Sequence, residues 1–135
     1  MPLLTWNHAS SVGIRAMDDQ HGILMDSMND LRLAIQHGEC CGKIGKTLGQ
    51  LIRFMQLHFA SEEQLLERHG FPDLDAHRCE HRRLLAHLLD AASALERHEK
   101  TGLRGLSEFL RQSFPSHLAE FDRSYAAWLN DRGIF

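Results

Sequence analysis

Apolar residues recur along this chain three and four apart, the spacing of one helix face, in four successive stretches. The first runs from about Asp18 to His37, with a stripe of Met17, His21, Leu24, Met28, Leu31 and Ile35. Asp18 and Asp19 suit the positive end of a helix, and Gly38 suits its stop. The second runs from about Gly42 to His69, with Leu48, Leu51, Met55, His58, Glu62 and Leu65, and ends at Gly70 and Pro72. The third runs from Leu74 to Lys100, with Asp73 as N-cap and a stripe of His77, His81, Leu84, Leu88, Ala91 and Leu95. The fourth runs from Leu103 to Asn130, with Leu103, Leu106, Leu110, Phe114, His117, Phe121, Tyr125 and Trp128. Four amphipathic helices on short connections predict an all-α protein, an antiparallel up-down-up-down four-helix bundle. Residues 1–17 form an N-terminal arm whose Trp6, Val12 and Ile14 pack on it. The length of 135 residues suits one domain, with the bundle over 18–130.

The stripes are interrupted by polar residues where leucine is expected. They are His21 on the first helix, His58 and Glu62 on the second, His77 and His81 on the third and His117 on the fourth. Asp122 lies one step off the last stripe. Two carboxylates among five imidazoles in a core make sense only with positive charge between them. Their levels agree: His21 lies 19 residues before the turn at Cys40 and His58 lies 18 after it. At a rise of about 1.5 Å per residue that is one layer. His58 and Glu62 match His77 and His81 in the same way across a turn near Phe71, whereas the fourth helix is several residues out if its turn is at Gly102.

HFASE (58–62) and HRCEH (77–81) each present two ligand types four apart, on one helix face. Seven ligands are too many for one ion and suit two octahedral ions sharing carboxylate bridges. Imidazole-rich ligation with some oxygen suits iron, copper, nickel or zinc, and a pair of carboxylate bridges favours iron or manganese over copper. The stretch FPSHLAEFD (114–122) breaks the pattern. Pro115 stands in a helix interior, and His117 and Asp122 are five apart, about 140° round a regular helix. The helix is therefore expected to be distorted here, by a π-type widening or by restarting at Pro115.

The set DDQH (18–21), HFASEE (58–63), HRCEH (77–81) and HLAEFD (117–122) resembles the haemerythrin family, specifically its single-domain bacterial members. The resemblance covers essentially the whole chain, including Trp6, Ser11, Val12, Gly13 and Ile14 of the arm. It implies two iron ions joined by an oxo or hydroxo bridge. His77, His81 and His117 would hold one iron, His21 and His58 the other, and Glu62 and Asp122 would bridge them. The second iron would keep an open position for dioxygen, beneath an apolar pocket of Leu24, Phe59, Phe114, Leu118 and Phe121, with Trp6 near it. Phe114 departs from the leucine common in the family. The implied function is reversible dioxygen binding, for carriage, storage or delivery, and not catalysis. An oxygenase or redox protein is the implied partner. Alternatives are an oxygen or redox sensor, a di-iron oxidase or peroxidase, and an iron store. The candidate ligands contain no Glu-x-x-His motif of the oxygen-activating carboxylate sites, which favours binding.

Composition narrows the setting. Ten histidines fit metal binding, and five of them, His8, His37, His69, His87 and His98, fall outside the set and read as surface residues. The net charge of −3 gives no basic footprint for nucleic acid or a membrane surface. No apolar run approaches the roughly 18 residues of a membrane span. MPLLTWNHASS lacks the features of a signal peptide, so the expected location is the cytoplasm. Cys40, Cys41 and Cys79 do not make a disulfide framework, and Cys79 is expected to face away from the metals. Tyr125 and Trp128 read as core residues, and Glu63, Asp18 and Asp19 as solvated ones.

Overall fold

A computed structural model describes residues 11–99 and 103–135. Helix α1 spans Arg15–Gln36, α2 Cys41–His69 and α3 Leu74–Glu96. The fourth rod is composite: α4 spans Leu103–His117, a π segment Leu118–Asp122, and α5 Arg123–Asn130. α1 packs on α2, α2 on α3, α3 on α4, and α4 returns to α1, which closes a four-helix bundle. No strand occurs among the described residues. Trp6, expected to pack on the bundle, and His8, expected at the surface, lie outside them.

Three of the four rods bury most of the stripes the periodicity predicts, with Ile35 and Ala91 only half-buried. Met17, Leu24, Met28 and Leu31 of α1 are buried, as are Leu48, Leu51 and Met55 of α2 and Leu84, Leu88 and Leu95 of α3. On α2 the buried residue near the end is Leu66, and Leu65 is only half-buried. The α2 stop is as expected: Gly70 is left-handed at φ 70°, and its N–H reaches the Glu67 and Leu66 carbonyls.

The fourth rod behaves differently past His117. Its buried residues become Leu118, Asp122, Tyr125, Ala126 and Leu129, while the expected Phe121 and Trp128 are half-buried. The cause is the π segment, where the Arg123 N–H bonds to the Leu118 carbonyl five residues back. A π turn holds one extra residue, so the face that meets the core slides by one position. Pro115 sits inside α4, which continues through it, so the widening follows the proline by three residues.

The arm is stitched to the far end of the chain. Ser11 Oγ donates to Asp18 Oδ2 at 2.6 Å and the Val12 N–H to Asp18 Oδ1 at 2.8 Å. Asp18 is therefore a partner of the arm and not a solvated residue. Gly13 turns at φ 93°, and Asn130 Nδ2 donates to its carbonyl at 3.2 Å. Val12 and Ile14 are buried, as expected for the arm.

Candidate metal centre

The bundle brings all seven polar interruptions into one buried layer. His21, His58, Glu62, His77, His81, His117 and Asp122 are each at most 2% exposed. His21 Nε2 and His58 Nε2 stand 3.1 Å apart, as the equal levels of α1 and α2 predict. The apparent mismatch of the fourth rod disappears when levels are counted from the helix ends. His81 lies 15 residues before Glu96 (96 − 81) and His117 lies 14 after Leu103 (117 − 103), because the connection and not Gly102 alone makes the turn.

Glu62 is the hub. Its Oε1 lies 2.6 Å from His77 Nε2 and 3.0 Å from His81 Nε2, and its Oε2 lies 3.3 Å from His58 Nε2. Asp122 takes the second central position, with Oδ1 at 3.0 Å from His117 Nε2 and Oδ2 at 3.1 Å from His21 Nε2. The π segment makes this possible, since it swings Asp122 onto the face that already carries His117.

Some of these short separations are not hydrogen bonds. His117 Nε2 and both oxygens of Asp122 have no hydrogen-bond partner despite full burial. Buried polar atoms left unpaired are costly, each by about 1–3 kcal/mol and more when charged. Donor atoms crowded together yet not bonded to one another are what a cation between them would satisfy. Two overlapping sets of ligand atoms lie within 4.8 Å: Glu62, His77, His81, His117 and Asp122, and His21, His58, Glu62 and Asp122. Both sets share the two carboxylates.

Without a cation, protons balance the charge. Burial disfavours the His21 and His77 imidazolium forms, but Asp122 and Glu62 beside each ring outweigh it and raise both to about 9. Burial likewise opposes ionisation of Glu62 and Asp122, and the surrounding imidazoles overcome it and hold both carboxyls below their ordinary range.

The rings are also held from behind. His58 Nδ1 donates to Gln20 Oε1 at 2.6 Å, and His81 Nδ1 donates to Glu63 Oε2 at 2.8 Å. Each contact commits Nδ1 outward and leaves Nε2 facing the cluster. Glu63 is thus not the solvated residue its position suggested. Tyr125, fully buried, donates its hydroxyl to Glu62 Oε2 at 2.9 Å. Its place three residues after Asp122 was the available signal, but a tyrosine in a stripe is usually core. Phe59 stacks on His81 at 3.7 Å between centroids, Phe114 meets His21 edge-on at 5.9 Å, and Phe121 stacks on His117 at 5.5 Å. Leu24 and Leu118 are buried nearby in sequence to His21 and His117. A small apolar cavity is lined by Phe114 with Met28, Met55, Leu84 and Leu110, residues that the sequence reading placed in the core stripes and not in the pocket.

The other histidines stay apart. His37, His87 and His98 are exposed and His69 is half-buried. The three cysteines are free, and Cys79 is exposed, turned away from the cluster, with Arg82 Nη2 at 3.4 Å from its sulfur.

The fold and the cluster define a helical-bundle protein with a buried, metal-binding layer of imidazoles and shared carboxylates. The chain belongs to the haemerythrin family: residues 12–129 match the Hemerythrin HHE cation binding domain. A bacteriohemerythrin of Methylococcus capsulatus is 30% identical over 131 residues, covering 96% of this chain and 99% of its own length. One of Ralstonia nicotianae is 28% identical and covers 98% and 93%. Among solved structures, a leucine-to-tyrosine mutant of a hemerythrin superposes with a TM-score of 0.87 at 30% identity, over 94% of this chain and 97% of that one. The wild-type hemerythrin gives 0.85 at 29% identity, over 93% and 96%. The histidine and carboxylate cluster is compatible with a di-iron site.

Proposed function

We propose that this protein binds dioxygen reversibly at a pair of irons, as a carrier, store or supplier of oxygen. The observation that carries the reading is the inequality of the two ligand sets. One offers three imidazoles and the other two, on the same pair of carboxylates. His77, His81 and His117 would fill one metal position. His21 and His58 would leave the other a ligand short, with room for a small molecule. Iron supplies reversible electron transfer to dioxygen. The chain's own side chains would supply the rest: Glu62 and Asp122 would hold two cations between them, and Gln20 and Glu63 orient the rings.

Leu24, Phe59, Phe114, Leu118 and Phe121 are proposed to keep water from the open position. We read the whole chain, 1–135, as one haemerythrin-like domain. The three free thiols suit a reducing compartment such as the cytoplasm. No described helix is long and apolar enough to cross a membrane. A redox protein that returns oxidised iron to the ferrous state, or an oxygenase that consumes the cargo, is the fitting partner.

Loading the metal-free protein with ferrous iron under argon and admitting air tests the reading. The expected result is two irons per chain and a visible band that fades on deoxygenation and returns with air. Immediate passage to a stable ferric form, with turnover of a reductant or peroxide, would replace the carrier with an enzyme.

A further inference from the structure

Two of the five imidazoles are braced from behind, and the braces differ in charge. His81 donates its Nδ1–H to the carboxylate of Glu63 at 2.8 Å, and Arg78 Nε donates to the other oxygen of that carboxylate at 3.3 Å. Arg78 is itself tethered to Glu67 at 3.4 Å. His58 donates to a neutral amide, Gln20, whose own nitrogen is 3.4 Å from Ser61 Oγ. The Nδ1 atoms of His21 and His117 have no partner. The Nδ1 contacts that the structure gives are those of His81 in one half and His58 in the other.

We propose that Glu63, held by Arg78, makes the three-histidine half of the cluster the tighter and more electron-rich metal position, and that neutral Gln20 leaves the two-histidine half weaker. The inference rests on the two-metal reading of the cluster. An anionic acceptor draws the Nδ1 proton towards itself and gives the ring partial imidazolate character. The opposite nitrogen then donates more strongly to a cation, and favours its more oxidised state. An amide oxygen orients a ring without adding charge. The two halves thus differ in histidine number and also in the field behind the histidines. Glu63 and Gln20 are positioning residues: they reach the metals only through His81 and His58. The consequence is ordered loading. The first ion enters among His77, His81 and His117, and the position beside His21 and His58 fills second.

Cobalt(II) titration of the metal-free protein, read by its visible bands, tests this. The wild-type chain should fill in two resolved steps. Glu63→Gln keeps an acceptor for His81 but removes the charge, so the first step should weaken by about 10–100-fold while the second holds. Gln20→Glu should tighten the second step instead. Reduction potentials of the iron-loaded variants separate charge from geometry: Glu63→Gln should raise the potential and Gln20→Glu should lower it. A purely geometric brace leaves Glu63→Gln at the wild-type potential and overturns the inference. Two cobalt ions entering in steps that Glu63→Gln does not alter overturn it as well, and leave the two-metal site standing. Fewer than two cobalt ions per wild-type chain would remove the site reading beneath it. Should Glu63→Gln fail to fold, Gln20→Glu carries the test alone: a second step and a potential unchanged from the wild-type chain overturn the inference.

Discussion

Tyr125 shows how much one hydroxyl can matter in a buried layer. It donates to Glu62 Oε2 from a position with no access to water. Tyr125→Phe removes that donor and leaves a buried carboxylate oxygen short of a partner. We expect the metal-free protein to lose about 1–3 kcal/mol in urea denaturation. Phe114 meets His21 edge-on and walls the small cavity beyond it. Phe114→Leu removes ring volume there, and stopped-flow measurements on the iron-loaded protein should show faster dioxygen release and faster autoxidation. At this scale the candidate ligands were legible because each replaced a leucine in an otherwise apolar stripe. The braces were not. Glu63 follows Glu62 directly, so its helical position points about 100° away, and only the approach of α3 brings His81 within its reach. Asp18 looked like a helix-start charge, whereas it also holds the arm through Ser11 and Val12.

At the scale of the element, the π segment decides the site. A strict 3.6-residue period would place His117 and Asp122 on different faces, and the structure joins them by one wide turn. Inserting one alanine after Ala119 adds a residue that the wide turn does not hold and should rotate everything beyond it by about 100°. Asp122 and Tyr125 then leave the layer, and metal analysis should find fewer than two ions per chain although circular dichroism still reports helix. The odd spacing of FPSHLAEFD announced a distortion, but its kind was open between a widening and a restart at Pro115. Periodicity assumes a constant pitch, so it also misplaced Phe121 and Trp128 at the end of the same rod. The Gly13 turn makes a second element-scale case. A β-carbon there would lie 3.1 Å from Asn130 Oδ1, at a φ that side chains resist. Gly13→Ala should cost about 1–3 kcal/mol in thermal or urea melts, by straining the stitch between the arm and α5.

For the whole molecule, the layer couples folding to protons and metal. His21 and His77 are raised from 6.5 to about 9, so what they contribute is full below 6.5 and drains away as pH rises through 9. Glu62 and Asp122 are depressed from 4.5 and 3.8, so their contribution is present above those values and lost as pH falls. The metal-free protein should therefore melt highest between 4.5 and 6.5 and lower towards pH 9. Cations displace the imidazole protons, so metal uptake should release roughly two protons near pH 7.5, measurable by calorimetry in buffers of different ionisation enthalpy. Once loaded, the melting temperature should rise and lose its fall towards alkaline pH. The bundle itself was legible from four stripes and short connections, because an antiparallel ring is the natural way to bury four such faces. The level of the fourth rod was not, since it depends on how the connection after Glu96 spends its residues.

The stitch of Gly13 to Asn130 places the start of α1 and the end of α5 at one pole of the bundle. His21 is only six residues into α1 (21 − 15), whereas Cys40 and Cys41 lie beyond its other end, at Gln36, 15 residues on (36 − 21). That separation is about 22 Å along the axis. Cys79, by contrast, sits on the outer side of the helix turn that carries His77 and His81. With Cys79 and Cys41 changed to serine, a dye on Cys40 becomes a distant optical gauge of iron occupancy. A dye on Cys79 alone becomes a close one. Comparing their quenching would read metal occupancy as a distance.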